Sequence, residues 1–389
     1  MQTYKFRLYP NKEQRDKLDF ALDICRQTYN NLLEEMNNQV KIDRSIIQHK
    51  IVEIKQEHPE INKVYSKTLQ YECYRLFSNL SALRELKKNG RKVGRLRFKG
   101  KNWFKTMQYN QSGFSLEIIR KQKGLLHLSK IGDIQIKVHR EVTGNIKQIT
   151  LKRSINKWYA HIITDAEIKI ERSDNQIVGI DLGINNYVMD SNGNSIKHPK
   201  ALENNLKQIK YLHREISRKK KGSKNRMKAR IELQKLQDRI INIRNDFLHK
   251  VSFHYAKNCK IICIEDLNIK SMMMSSYNAK NIADSCWYRL RQFLTYKVER
   301  TGSQLIAVNP ANTTKDCSVC KHRQPMEIWK RTYKCESCGS ELDRDYNSAI
   351  NILKGGLTIL GMEYPFVENN SSVQNEQELS MKQEAITSK

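Results

Sequence analysis

Ile177-Val178-Gly179-Ile180-Asp181-Leu182-Gly183 is an apolar run that ends on a carboxylate and then a glycine. A run with no polar alternation reads as a strand covered on both faces, and this one would deliver Asp181 to the edge of a core. The pattern recurs at Ile261-Ile262-Cys263-Ile264, which delivers Glu265-Asp266. Between the two, Leu233, Leu236, Ile240, Ile243 and Phe247 recur at spacings of three and four on the second of two long helices. The helices are joined by Arg218-Lys219-Lys220-Lys221-Gly222-Ser223-Lys224, a helical hairpin with a strongly basic turn. A helix from Trp287 to Val298 leads through Gly302 into Leu305-Ile306-Ala307-Val308, and strand alternating with helix implies a partly parallel sheet. Ala349, Ile350 and Leu353 mark a closing helix expected to end near Gly355-Gly356.

Upstream, Tyr4, Phe6 and Leu8 alternate with Lys5 and Arg7 in a short opening strand that stops at Pro10. Helical spacing follows at Leu18, Leu22, Tyr29 and Leu33 and again at Leu69, Cys73, Leu76, Leu80 and Leu83, with a less regular polar segment around His58-Pro59 between. Gly90 to Gly100 is basic and glycine-punctuated, and strand-like segments come next, including 125–128, 134–138 and 158–162. The first ~170 residues thus read as a β-rich unit with a helical insertion.

The 389 residues carry 70 Lys and Arg against 41 Asp and Glu, a formal net charge of +29, which suits a densely negative partner. Nucleic acid is favoured over membrane, because no apolar run approaches the ~18 residues of a span. The opening Met1-Gln-Thr-Tyr-Lys-Phe has no apolar h-region, so a cytoplasmic protein is expected. Nine cysteines, an odd count, then argue for reduced thiols and metal binding. Cys25, Cys73, Cys259, Cys263 and Cys286 read as core or incidental. Cys317, Cys320, Cys335 and Cys338 have the C-x2-C-x14-C-x2-C spacing of a closed four-thiolate zinc site with no open position for catalysis.

Asp181, Glu265 and Asp345 stand out because two lie at apolar strands and the third opens the last helix. Singly, each reads as a cap or turn former. Together they suit Mg²⁺, since hard cations select oxygen ligands and a pair of ions clamps the attacking and leaving oxygens of a phosphodiester.

In order, Ile180-Asp181-Leu182-Gly183-Ile184-Asn185, Ile264-Glu265-Asp266-Leu267, the four cysteines and Asp343-Arg344-Asp345-Tyr346-Asn347-Ser348-Ala349-Ile350-Asn351-Ile352 resemble the transposon-encoded TnpB family, relatives of type V CRISPR effectors. The opening Tyr4-Lys5-Phe6-Arg7-Leu8-Tyr9-Pro10-Asn11 is similar to its start, so the resemblance runs from the first strand to about Leu353. It departs at Lys321, where glycine often follows the second cysteine, and at Ser348, which replaces a common alanine.

The resemblance implies an α/β plus β chain: a RuvC-like nuclease domain of ribonuclease H fold with an inserted zinc ribbon, preceded by a β-barrel-like wedge domain with a helical recognition insertion. Residues 1–10 and 91–172 would be the wedge-like domain, 11–90 the insertion, 173–311 and 342–360 the nuclease domain with its basic hairpin at about 203–255, 312–341 the ribbon, and 361–389 a disordered tail. It further implies an RNA-guided endonuclease, cytoplasmic and nucleoid-associated, that cuts double-stranded DNA beside a transposon-adjacent motif with a guide RNA from the transposon end. Asp181, Glu265 and Asp345 would be its magnesium-binding triad, with Asp345 preferred over Asp343 because it stands two places before Asn347. The alternatives are a catalytically silent RNA-guided DNA-binding protein, a DDE-type transposase, and an actin-like phosphotransferase. The last lacks a glycine-rich, hydroxyl-bearing phosphate loop after Asp181.

Overall fold

The computed structural model describes residues 1–364 apart from 102, 156, 168, 276–277 and 328. The tail expected to be disordered therefore lies, from 365 on, outside the described residues. The chain divides into two compact units, Met1–Ile168 and Lys169–Lys389.

The first unit opens with strand β1 (Gln2–Tyr9), followed by helices α1 (Lys12–Asn38), α2 (Arg44–Glu57) and α3 (Ser66–Lys88). Asn11 starts α1 through a capping box: its side chain accepts from the Gln14 amide at 2.8 Å, and its own amide donates to the Gln14 side chain at 3.0 Å. Strands β2 (Thr106–Asn110), β3 (Phe114–Arg120), β4 (Lys123–Leu128), β5 (Gly132–Lys137), β6 (Ile146–Ser154) and β7 (Lys157–Thr164) complete a sheet of order β2-β6-β7-β1-β5-β4-β3. Its pairings are all antiparallel. The ladder is open, with β2 and β3 as its edges, so the barrel-like expectation meets an unclosed sheet among the described residues. Tyr4, Phe6, Leu8, Leu126, Ile134, Leu151, Trp158 and Ile162 are buried in one core cluster that also holds the buried residues of the three helices.

Helix α2 falls in the stretch read as less regular. Its buried stripe is Ile47, Ile51 and Ile54, a narrow helical signal diluted by eleven other, mostly polar residues.

The second unit contains β8 (Gln176–Asp181), β9 (Asn186–Asp190), β10 (Ser195–Lys197), α4 (Ala201–Arg218), α5 (Lys224–Asn258) and β11 (Cys259–Glu265). Then come α6 (Ile269–Ser275), α7 (Ala279–Ser285), α8 (Trp287–Thr301), β12 (Gln304–Val308), β13 (Thr332–Lys334), β14 (Glu341–Asp343) and α9 (Arg344–Ile359). Its main sheet has the order β10-β9-β8-β11-β12; β8, β11 and β12 are parallel, and β9 pairs antiparallel with both β8 and β10.

The apolar runs are continuous because both faces are covered. Ile262 and Ile264 of β11 point into a core with Leu248, Val251 and Tyr255 of α5 and Leu290 and Leu294 of α8. Ile261 and Cys263 point the other way, to Ile352, Leu353 and Leu357 of α9.

Helix α9 does not end at Gly355-Gly356 as expected but continues through both to Ile359. These glycines face the sheet: a Cβ on Gly355 would meet Val308 Cγ1 at 2.8 Å, and one on Gly356 would meet Cys263 Sγ at 2.2 Å. Here glycine allows close helix–sheet approach, a use that sequence cannot tell from a stop signal. No helix among the described residues is long and apolar enough to cross a membrane.

Candidate carboxylate centre, cysteine cluster and nucleic-acid face

Asp181 ends β8 and Glu265 ends β11. The strands are in parallel register with Ile180 opposite Ile264, so the two acids leave the sheet side by side. The third acid arrives on α9, which lies against β8 so closely that a Cβ on Gly179 would meet Ala349 O at 2.2 Å and Leu353 N at 2.6 Å. Asp345 lies in the first turn of α9 and is 8% exposed. Burial, and after it the charges of Glu265 and Asp345, push the Asp181 carboxyl well above the ordinary carboxylate range. The Glu265 carboxyl is also raised by burial, against a 2.6 Å hydrogen bond donated by the Thr313 hydroxyl. Like charges held in a dry place are a donor set short of cations, and this chemistry fits a divalent metal.

The neighbouring Asp343 does different work. It is exposed and caps α9, its carboxylate accepting from the amides of Asp345 at 2.8 Å and Tyr346 at 3.0 Å. Asp345 instead receives Arg344, through Nε at 3.1 Å and Nη2 at 2.8 Å on Oδ1, and Arg331 at 3.6 Å on Oδ2. Thr313, Arg344 and Arg331 were not singled out from sequence as partners of the acids, and no periodicity marks them. Asn347 and Asn351, four apart on α9, offered a fairer signal. Asn351 donates to the carbonyls of Thr313 at 2.9 Å and Asp316 at 2.7 Å, while Asn347 donates to Asp316 O at 2.9 Å and accepts from Ser318 N at 2.8 Å. These bonds tie the segment that carries Thr313 to the helix that carries Asp345.

Among the described residues, Cys317, Cys320, Cys335 and Cys338 are the one group of three or more such side chains whose ligand atoms all lie within 4.8 Å of one another. Their sulfurs stand 3.7 Å apart for Cys317 and Cys338 and 3.5 Å for Cys320 and Cys335, spacings that suit a tetrahedral S₄ zinc site. The Cys338 thiol is drawn down to about 6, chiefly by its hydrogen bond with the Ser340 hydroxyl, which favours the thiolate a metal needs. Lys321 has a φ of +64°, which explains why glycine is the easier residue after a second cysteine; Gly339 holds the matching place in the other knuckle at +72°. Cys25, Cys73, Cys259 and Cys263 are buried and Cys286 is half-buried, outside this cluster. The antiparallel pair β13-β14 completes the ribbon.

In the first unit, the outward residues of β1, β7 and β6 form a cationic and aromatic face. Register sets Lys5 opposite His161, Arg7 opposite Tyr159, and Lys152 beside Tyr159. Lys5 lies 4.7 Å over the Tyr159 ring, and Arg7 lies 5.3 Å from Tyr159 and 5.5 Å from Tyr9. Burial, with Lys5 and Lys152 nearby, lowers His161 to about 4, so at neutral pH it adds polarity without charge. Exposed Phe98 lies within the basic segment Arg91 to Lys101, and exposed Trp103 follows it. Lys99 there is held by Asn30 of α1, whose side chain accepts from its amide at 2.7 Å and donates to its carbonyl at 3.1 Å. In the second unit the basic turn is realised between α4 and α5, where Lys220, Lys221 and Lys224 are exposed and Ser223 caps α5.

Three family models match in chain order. "Helix-turn-helix domain" covers residues 1–44, "Probable transposase" 161–276, and "Cas12f1-like, TNB domain" 287–352. In this structure 1–44 is a strand and one long helix reaching the start of α2. Among curated proteins the chain is similar to "Putative RNA-guided DNA endonuclease InsQ" of Escherichia coli (strain K12), at 29% identity over 386 residues, 92% of this chain and 93% of that protein. It is similar to a "Putative RNA-guided DNA endonuclease" of Streptomyces pristinaespiralis at 29% over 376 residues, 91% of this chain and 89% of that one. "CRISPR-associated endodeoxyribonuclease Cas12f1" of Sulfoacidibacillus thermotolerans matches at 30% over 215 residues, about half of each chain (51% and 50%).

Proposed function

We infer that this chain, which belongs to the TnpB family of transposon-encoded proteins, is an RNA-guided endonuclease that cuts double-stranded DNA. The observation that carries the chemistry is the meeting of Asp181 and Glu265 at adjacent parallel strand ends with Asp345 on the helix packed against β8, close enough for Asp181 to feel both charges. The β10-β9-β8-β11-β12 order with α9 on one face supports reading 173–311 and 342–360 as a RuvC-like domain of ribonuclease H fold, with the zinc ribbon at 312–341. Residues 1–10 and 91–172 would be the wedge-like domain and 11–90 its helical recognition insertion.

Asp181, Glu265 and Asp345 would hold Mg²⁺, which when bound clamps phosphate oxygens and acidifies a water for in-line attack on phosphorus. Thr313 fixes the rotamer of Glu265, and Asn351 fixes the backbone of Thr313. Asp343 sets the start of α9 and so the direction from which Asp345 enters. The four cysteines would hold a structural Zn²⁺. Sequence is read by pairing of a guide RNA from the transposon end with the target strand, while the protein reads a transposon-adjacent motif and heteroduplex shape. The cationic face of β1, β6 and β7 and the Arg91 to Lys101 segment supply phosphate contacts and stacking surfaces. Such a protein works in the cytoplasm, at the nucleoid.

The test is plasmid cleavage by the purified guide complex in Mg²⁺, with sequencing of the RNA that copurifies. Free ends that vanish in Asp181→Ala and Glu265→Ala, with guide-dependent DNA binding kept within a few fold, are expected. Joined products would indicate strand transfer, and retention without cutting a silent binder.

A further inference from the structure

Arg344 occupies the first position of α9. The N-terminal end of a helix carries partial positive charge, so it is a poor place for a cation and a good one for an acid. A half-buried arginine there needs a local anion. It has one: Nε and Nη2 both donate to Asp345 Oδ1, at 3.1 and 2.8 Å, and the two side chains are only 15% and 11% exposed. The guanidinium is also near enough to Asp181 for its charge to oppose the rise in that carboxyl's pKa. Its amide donates to Arg331 O at 2.7 Å, and Arg331, 54% exposed, reaches the other oxygen of Asp345 more distantly, at 3.6 Å. Of the two arginines, Arg344 is the less exposed and the closer to Asp345.

We propose that Arg344 is a positioning residue that takes the place of metal in the metal-free protein: it neutralises Asp345 and sets, by competition for Oδ1, how tightly the carboxylate centre binds divalent cations. This rests on the reading of Asp181, Glu265 and Asp345 as metal ligands. Three carboxyl groups against two guanidinium groups, Arg331 being the exposed and more distant of them, still leave donor oxygens for a cation. An ion pair and its attendant bonds must nevertheless be given up at Asp345 before that oxygen can serve as a ligand. With a pair of divalent ions in place, a guanidinium left on Oδ1 would be a like-charged neighbour. The exchange keeps the acids from repelling one another apart while the site waits for nucleic acid and metal, and it makes metal uptake weaker than the bare donor set would give.

The test uses the zinc-loaded full chain stripped of nucleic acid, with Mn²⁺ as the probe and free Mn²⁺ counted by electron paramagnetic resonance. Uptake that disappears in Asp181→Ala defines the carboxylate centre. Arg344→Gln should lower the Mn²⁺ midpoint about tenfold, within the range usual for coupling between bound groups, and should enlarge the rise in melting temperature that Mn²⁺ produces. Arg344→Lys, a point charge without the planar fork, should move the midpoint less in the same direction and serves if the glutamine variant does not fold. A merely structural arginine would weaken Mn²⁺ uptake on removal, so an unchanged or raised midpoint in these variants overturns the inference and leaves the metal-site reading standing. Wild-type protein with no Asp181-dependent uptake overturns both.

Discussion

Gly179 stands two residues before Asp181 on β8 and bears the weight of α9. An added Cβ would lie 2.2 Å from Ala349 O, 2.6 Å from Leu353 N and 2.8 Å from Leu353 Cβ. Two of these atoms are backbone, which no rotamer change can move. Ordinary contact begins near 3.4 Å, so Gly179→Ala must push α9 off the sheet by about 1 Å, carrying Asp345 away from Asp181 and Glu265. Overpacking of this kind typically costs about 1 to 3 kcal/mol of stability, and a reacting group displaced by about 1 Å can lose ~10²-fold in rate. Gly179→Ala should therefore fold, retain its copurifying RNA and cut DNA about 100-fold more slowly. Single-turnover cleavage at saturating Mg²⁺, read beside chemical denaturation, measures both effects. If Gly179→Ala cuts within about threefold of wild type, α9 does not set the carboxylate geometry and the reasoning fails.

Glu72 is fully buried, both of its oxygens lack a hydrogen-bond partner, and burial raises its pKa to about 8 against the pull of Arg75 at 3.2 Å. The fold thus prefers it protonated: its contribution is best below the unfolded pKa near 4.5 and is lost as pH rises toward 8, a cost of about 3 kcal/mol at pH 7. Glu72→Gln should gain stability over wild type progressively from pH 5 to 8, and a difference flat in pH would contradict this. Removing one thiolate by Cys335→Ser should lose one equivalent of zinc and lower the melting temperature, because zinc binding energy in a small ribbon is folding energy; metal analysis with calorimetry checks it. Arg7→Gln should weaken nucleic-acid binding and reduce the slope of log affinity against log salt by about 1, as for one lost phosphate contact, and an unchanged slope would remove that face from the interface.

Features encoded along the chain were legible without coordinates. The buried strands 176–181 and 259–265 announce themselves as apolar runs, since a strand covered on both faces has no reason to alternate. The cysteine spacing announced a cluster whose sulfurs lie within 4.8 Å, because two knuckles and a hairpin bring their own ligands together. The sequence singled out Asp181, Glu265 and Asp345 and preferred Asp345 to Asp343, but the reason that Asp343 is otherwise employed, as a helix cap, is visible only in three dimensions. Helix α2 was missed because its apolar stripe is thin, and the length of α9 because glycine signals both an end and a close contact. Tertiary structure alone decided which groups touch the acids. Thr313 on Glu265 and the approach of Arg344 to Asp181 depend on how strand, helix and ribbon segment are stacked, whereas Arg344 on Asp345 is a contact between neighbours in the first turn of α9. Periodicity records which side of an element is buried; it holds no information about which side chain of another element fills the space opposite.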